Sequence, residues 1–145
     1  MICLIQRVTQ AKVVIDQNTV GQIGLGMLVL TAFQPNDHSQ NIHKMVNKLL
    51  HYRLFADKDD KMNLNIQQVD GRFLLIPQFT LAADTKKGLR PSFSGSAKPN
   101  IATLLFDEFV DEMSNASPLI ETGKFGADMQ VTLTNDGPVT FWLET

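Results

Sequence analysis

FLLIPQFTL, Phe73 to Leu81, is an apolar run that turns polar at Gln78 and Thr80. Read as a strand with two-residue periodicity, it places Leu74, Ile76, Gln78 and Thr80 on one face and Leu75, Pro77, Phe79 and Leu81 on the other. The first of these faces begins greasy and ends in an amide and a hydroxyl. Polar side chains at the end of a buried strand have their rotamers fixed by the packing around them, so such an end can floor a site. A strand that simply surfaces has the same pattern, and the stretch alone leaves both readings open.

Working outward, 145 residues with 43% hydrophobic content predict one domain whose core folds without covalent staples. The single cysteine, Cys3, excludes an internal disulfide, and within ICLIQRV it reads as a small buried hydrophobe rather than a nucleophile. No apolar run approaches the roughly 18 residues of a membrane span, and the first residues lack the charged, apolar and small-residue order of a signal peptide. The expectation is a cytoplasmic protein with no membrane partner. Thirteen Lys and Arg against fifteen Asp and Glu give a net charge of -2, which argues against a general nucleic-acid coat. Any RNA contact therefore needs a local patch. The candidate is DTKKGLRPSFSGSAKP, Asp84 to Pro99, where Lys86, Lys87, Arg90 and Lys98 face only Asp84. This is either a solvated loop or a phosphate-contacting one.

Toward the N-terminus, Ile2 to Val8, Lys12 to Asp16 and Thr19 to Ile23 read as a meander of strands, with a turn at Asp16-Gln17-Asn18. Gly21, Gly24 and Gly26 have the wrong spacing for the dinucleotide fingerprint and no helix follows, so they read as turns or bulges. Leu28 to Phe33 is a further strand. From Ser39 to Tyr52 the apolar residues Ile42, Met45, Val46, Leu49 and Leu50 recur at helical spacing and predict one stripe against a sheet. His43 and His51 lie about 12 Å apart along that helix, too far to share a metal, and read as surface or rim residues. Asp57 to Lys61 lacks the glycine and terminal acid of a calcium loop and reads as a solvated turn. No metal or cofactor is expected.

Toward the C-terminus, Asn100 to Asn115 predicts a second helix behind Pro99, with Ile101, Leu104, Leu105 and Phe109 buried. Strands follow at Gln130 to Thr134 and Val139 to Leu143, separated by a turn at Asn135-Asp136-Gly137-Pro138. Gly137 permits backbone angles that other residues avoid, and Pro138 is the residue type for which a cis peptide costs little. The alternative is an ordinary trans hairpin turn. With no repeat or linker, the fold expected is a single α+β domain. Its sheets should be mixed but largely antiparallel, curled or layered in a barrel-like way, with two main helices packed on one side. Strand order is not legible.

Four blocks, IQRVTQAKV, QFTLAADTKKGLRPSF, TGKFGADM and NDGPVT, occur in that order and span essentially the whole chain. Together they resemble the D-aminoacyl-tRNA deacylases. The resemblance implies a cytoplasmic homodimer that hydrolyses the ester between a D-amino acid and the 3′ end of tRNA. Its site would lie at the dimer interface, built from the QFTL segment and a Gly-cis-Pro dipeptide. The family signatures fall on Gln78, Phe79, Thr80 and Leu81, and on Asn135, Gly137, Pro138, Val139 and Thr140. Carbonyl oxygens of Gly137 and Pro138 would enter the partner's pocket, hold the α-ammonium and crowd an L side chain. Glycyl-tRNA, with no side chain to collide, would also be a substrate.

The resemblance further implies catalysis by positioning, assisted by the terminal ribose 2′-hydroxyl, with a hole formed by backbone N–H groups near Phe79 together with Gln78. Thr80 could attack directly, but no base is identifiable, since His38, His43 and His51 all lie in or before the first helix. Phe79 and Met129 are candidate walls for the terminal adenosine, or ordinary core residues. Lys86, Lys87 and Arg90 are candidate contacts to acceptor-end phosphates. One residue departs from the pattern: Pro77 stands where the family usually has Ser. A related group that edits L-alanine mischarged on tRNA carries Pro-Gln there, although NDGPVT follows the D-specific pattern. Two alternatives therefore remain, an L-alanyl-tRNA editing specificity and a noncatalytic module that binds the tRNA end.

Overall fold

The opening apolar run forms one strand. In the computed structural model, which describes residues 1–145, β1 runs unbroken from Ile2 to Ile15, where the sequence suggests two segments parted around Thr9 to Ala11. It stays extended because it never lacks partners. Along one edge its first half pairs with β3 (Gly26–Ala32) and its second half with β2 (Asn18–Ile23), while β8 (Gln130–Glu144) accompanies both halves along the other edge. The predicted turn between β1 and β2 is present, with Asp16 and Gln17 both at positive φ, 48° and 67°.

After β3 come α1 (Ser39–His51), a small hairpin of β4 (Phe55–Ala56) and β5 (Met62–Leu64), and then β6 (Arg72–Pro77). A long loop leads to α2 (Pro99–Ala116), followed by β7 (Ile120–Thr122) and β8. The main sheet is mixed. β1 is antiparallel to β2, β3 and β8, whereas β3–β6 and β6–β7 are parallel. Gly26 is not a turn residue. A Cβ on it would fall 1.9 Å from the Arg72 carbonyl oxygen, so glycine is what lets β3 lie against the start of β6.

Both helices cover one face of the sheet. The α1 stripe of Ile42, Met45, Val46, Leu49 and Leu50 is buried as predicted, against Cys3, Ile5, Met27, Val29, Phe73 and Leu75 of the strands. Each such side chain removed from water contributes about 2 kcal/mol. On α2, Leu105 and Phe109 are buried as predicted but Ile101 and Leu104 are not. Ala102, Leu105, Phe106, Phe109 and Met113 point inward, while Ile101 and Leu104 are exposed, 41% and 65%. The physical reason is continuity. The stripe beginning at Ile101 and Leu104 runs into Glu108, Asp111 and Glu112, whereas the stripe beginning at Ala102 stays apolar through Met113.

On its other face the sheet curls over a second cluster that includes Val8, Ala11, Val13, Leu28, Leu74 and Ile76. A Cβ on Gly21 of β2 would lie 3.1 Å from both Leu74 Cδ1 and the Thr122 carbonyl oxygen, so β2 closes down on β6 and β7. This gives the barrel-like form expected from the sequence. The β6 strand is buried on both sides, which fits its nearly continuous apolar sequence.

Candidate active site

The polar end of FLLIPQFTL is a turn, not a continuation of the strand. β6 stops at Pro77, and Phe79–Ala82 form a 3-10 turn entered through Gln78 at φ −142°, ψ 72°. Leu74 and Ile76 do share one face, and Phe73 and Leu75 the other, but beyond Pro77 the two-residue alternation no longer applies. The stop has a local cause. The Gly123 N–H donates to the Leu75 carbonyl at 2.9 Å, and the next rung of this parallel ladder would require an N–H at position 77, which proline lacks. Pro77 thus sits at the open end of the β7 pairing. On the opposite side Gln78 N–H still bonds the Thr31 carbonyl of β3, at 2.7 Å.

Within the turn, the Gln78 side-chain amide donates to the Thr80 hydroxyl at 2.5 Å. The first backbone bond of the turn runs from Leu81 N–H to the Gln78 carbonyl, 3.1 Å. The N–H groups of Phe79 and Thr80 therefore precede its ladder and are not used by it. Phe79 is 48% exposed and meets Phe93 edge-to-face, with ring centroids 5.0 Å apart.

Beside this turn lies a largely apolar cavity of about 430 Å3. Pro77, Gln78, Phe79 and Met129 all line it, together with Ala102 of α2 and Phe125. Met129 lies close because residue 123 is glycine: a Cβ there would come within 2.7 Å of its sulfur. Phe125 sits within the TGKFGADM block but was not singled out from sequence. Only the fold, by setting that loop beside α2, reveals its place. Thr80 does not line the cavity, nor do Lys86, Lys87, Arg90, Asn135, Gly137, Pro138 or Thr140. Within one chain the two signature segments are not brought together.

The second segment is also not the hairpin turn that its sequence suggests. β8 is continuous from Gln130 to Glu144, and Asp136 to Val139 form a bulge between the pairs Gln6–Thr140 and Val8–Asn135. The long β1 offers partners on both sides of the Gly-Pro pair, so the chain continues in the same direction. The Gly137–Pro138 peptide is cis. Gly137 has φ 143°, and a Cβ on it would lie 2.5 Å from the Val139 side chain, so only glycine suits the position. The Asn135 side chain braces the bulge: its Oδ1 accepts from Val139 N–H at 2.7 Å, and its Nδ2 donates to the Thr140 hydroxyl at 2.9 Å. Gln6 also donates to that hydroxyl, at 3.2 Å. Both Gly137 and Pro138 are exposed.

Arg7 is the residue that sequence reasoning missed here. Its Nε donates to the Asp136 carbonyl at 3.1 Å and lies 3.0 Å from the Asp136 carboxylate. Its Nη1 donates to the Leu54 carbonyl at 2.8 Å. The signal was a lone cation in the apolar strand ICLIQRV, but its partners depend on the β1–β8 pairing. The basic loop is closed at its base by paired backbone bonds between Asp84 and Ser92, 2.7 and 3.0 Å, leaving Lys86, Lys87 and Arg90 exposed at its tip. Cys3 is fully buried and burial pushes its thiol up to about 12, so it is no nucleophile at neutral pH. His43 pairs with Glu112 at 2.7 Å between the helices, away from the cavity.

Comparison with known proteins bears on both segments. A D-aminoacyl-tRNA deacylase of Hydrogenovibrio crunogenus is 60% identical over a 149-residue alignment covering 100% of each chain. The solved structure of the c-Myc DNA Unwinding Element Binding Protein superposes with a TM-score of 0.95 at 34% identity, covering 100% of this chain and 99% of that one. A probable eukaryotic D-amino acid tRNA deacylase superposes with a TM-score of 0.88 at 16% identity, over 99% and 98% of the two chains, which speaks for the fold alone. The family model of D-Tyr-tRNA(Tyr) deacylase matches residues 4–144, from β1 to the end of β8 and so across both the cavity and the bulge: the chain belongs to that family.

Proposed function

We infer that the protein is a D-aminoacyl-tRNA deacylase, an esterase that releases a D-amino acid from the 3′ end of tRNA. The observation that carries this reading within the family is the pair of N–H groups of Phe79 and Thr80, outside the ladder of a turn whose first residue, Phe79, lines an apolar cavity. Donors held in this way can meet the charge that develops on the ester carbonyl when water attacks, and the Gln78 amide adjoins them. The terminal adenosine occupies the cavity between Phe79 and Met129. The adjacent ribose 2′-hydroxyl assists the attack, and the 3′-oxygen leaves with a proton. No protein nucleophile is needed. The Thr80 hydroxyl accepts from Gln78 and has no base beside it.

Chirality is read by a second copy of the chain. In this proposal the Asp136 to Val139 bulge of one protomer enters the cavity of its partner, which accords with the exposure of Gly137 and Pro138 and with their absence from the cavity of their own chain. Carbonyls of Gly137 and Pro138 hold the substrate α-ammonium and leave no room for an L side chain, so specificity comes from the penalty on the wrong enantiomer. Asn135 and Thr140 set the bulge's shape. Glycyl-tRNA passes the same filter. Lys86, Lys87 and Arg90 contact acceptor-end phosphates, and the enzyme works in the cytoplasm, where aminoacylated tRNA is found. A second reading rests on Pro77, which lines the cavity in place of the usual Ser and would shift the range toward L-alanyl-tRNA.

Single-turnover hydrolysis of D-tyrosyl-, L-tyrosyl-, glycyl- and L-alanyl-tRNA by the purified protein separates these readings. Loss of the D-tyrosyl and glycyl esters, with both L esters spared, is the expected result. Equal turnover of D- and L-tyrosyl-tRNA would sink the chiral filter. Rapid loss of the L-alanyl ester would assign the editing specificity to Pro77, and no hydrolysis at all would leave a module that only binds the tRNA end.

A further inference from the structure

The turn that carries the candidate donors is not held by its own short ladder alone. The segment Ser92 to Ala97, at the far end of the basic loop, is folded across it. Ser96 Oγ donates to the Phe79 carbonyl at 3.1 Å, across a separation of 17 residues. Phe93 sets its ring edge-to-face on Phe79. Gly95 lets the two backbones meet, since a Cβ there would stand 2.6 Å from the Ala82 carbonyl oxygen. The strap is itself anchored, by Ser96 N–H to the Phe93 carbonyl at 3.0 Å and by Ala97 N–H to the Phe33 carbonyl at 2.8 Å.

Peptide planarity turns this contact into control of the site. The Phe79 C=O and the Thr80 N–H belong to one rigid plane and point in opposite directions. A bond that fixes the carbonyl oxygen therefore also fixes where the Thr80 N–H points. We propose that Ser96 is a positioning residue for ester hydrolysis: by holding the Phe79 carbonyl it aims the Thr80 N–H at the developing oxyanion. Phe93 supports it by holding the Phe79 ring. The strap leaves the same Asp84–Ser92 base from which the Lys86 to Arg90 tip projects, so one loop serves both the phosphates and the donors. This inference rests on the deacylase reading above.

The test compares wild type with Ser96→Ala and Ser96→Thr in single-turnover hydrolysis of D-tyrosyl-tRNA, measuring the maximal rate, the half-saturating enzyme concentration and the melting temperature. Ser96→Ala is expected to lower the maximal rate about tenfold, the rate equivalent of one neutral hydrogen bond made in the transition state. Half-saturation and melting should stay at wild-type values, and Ser96→Thr, which keeps the hydroxyl, should restore most of the rate. An unchanged rate in Ser96→Ala beside an active wild type overturns the proposal. So does a loss in which rate and melting temperature fall, the half-saturating concentration rises and Thr gives no rescue, since that marks a merely structural serine. A wild type that hydrolyses no ester removes the deacylase reading itself, and is distinguishable from both.

Discussion

Strand pairing breaks at two places, after Pro77 where β6 ends and between Asn135 and Thr140 of β8, and the breaks differ in chemical sense. β6 ends in a turn whose leading N–H groups, at Phe79 and Thr80, stand outside its ladder. In the β8 bulge the supply of donors is cut instead: Pro138 has no N–H, and the next one, on Val139, is taken by Asn135. One break therefore opens with two N–H groups, whereas at the other the Pro138 and Val139 positions offer none. An aminoacyl ester needs both, donors for the oxyanion and acceptors for the ammonium. The bracing differs too. The turn is held by neutral contacts from Ser96 and Phe93, whereas the bulge is gripped by the half-buried guanidinium of Arg7. On the proposed reading, backbone geometry rather than charged side chains sorts the two ends of one substrate.

The largest effect should come from the substrate rather than the protein. D-tyrosyl-tRNA ending in a 2′-deoxyribose is expected to hydrolyse about 10²–10⁴-fold more slowly, the usual span for loss of a proton-transfer group. Single-turnover rates with the two RNAs measure this directly. A drop below tenfold would mean that a protein group does the work assigned to the RNA, and the donor turn would no longer be a site of positioning alone.

Arg7→Ala tests the other break. It leaves the Asp136 and Leu54 carbonyls without their guanidinium partner, which should cost about 1–3 kcal/mol of stability and let the bulge shift. The ratio of D- to L-tyrosyl-tRNA hydrolysis is expected to fall about tenfold, as befits loss of a steric penalty of that order, while the D-ester rate changes less. Ser96→Ala should do the reverse, lowering the rate and leaving the ratio alone. If both variants move the same quantity, the two breaks do not divide the labour. Thermal melting of Arg7→Ala separates a shifted bulge from an unfolded protein.

How much of this was legible depended on whether the cause was local. The α1 stripe could be read residue by residue because nothing interrupts its helical period from Ile42 to Leu50. The face of α2 was misjudged by following Ile101 and Leu104, although Glu108 and Asp111 further along mark that face as solvated. FLLIPQFTL reads as a strand up to Pro77, whose missing N–H is a local stop, but the turn beyond it is not legible because it is held by Ser96, Phe93 and Gly95 from a distant loop. Asn135 to Pro138 carried every local sign of a hairpin, yet the 14-residue β1 pairs on both sides of it and makes it a bulge. β7, three residues long, is too short to show any periodicity. Of the candidates that family resemblance supplied, Pro77, Gln78, Phe79 and Met129 line the cavity while the others lie in the turn, the bulge and the basic loop, a division that is a property of the fold.

The smallest effect, and the sharpest test of the donor turn, is expected from Thr80→Ala. The substitution removes a hydroxyl that accepts from Gln78 and leaves the Thr80 N–H in place. If the backbone N–H is what matters, the maximal rate should stay within about threefold of wild type, the scale of one exposed neutral hydrogen bond. The modest loss would reflect a freer Gln78 amide. A nucleophilic threonine predicts the opposite, complete loss of turnover with melting temperature and RNA binding unchanged. Because Ser96→Ala frees the Phe79–Thr80 peptide unit and Thr80→Ala leaves it in place, a Ser96→Ala loss larger than that of Thr80→Ala would place the catalytic contribution in that backbone unit.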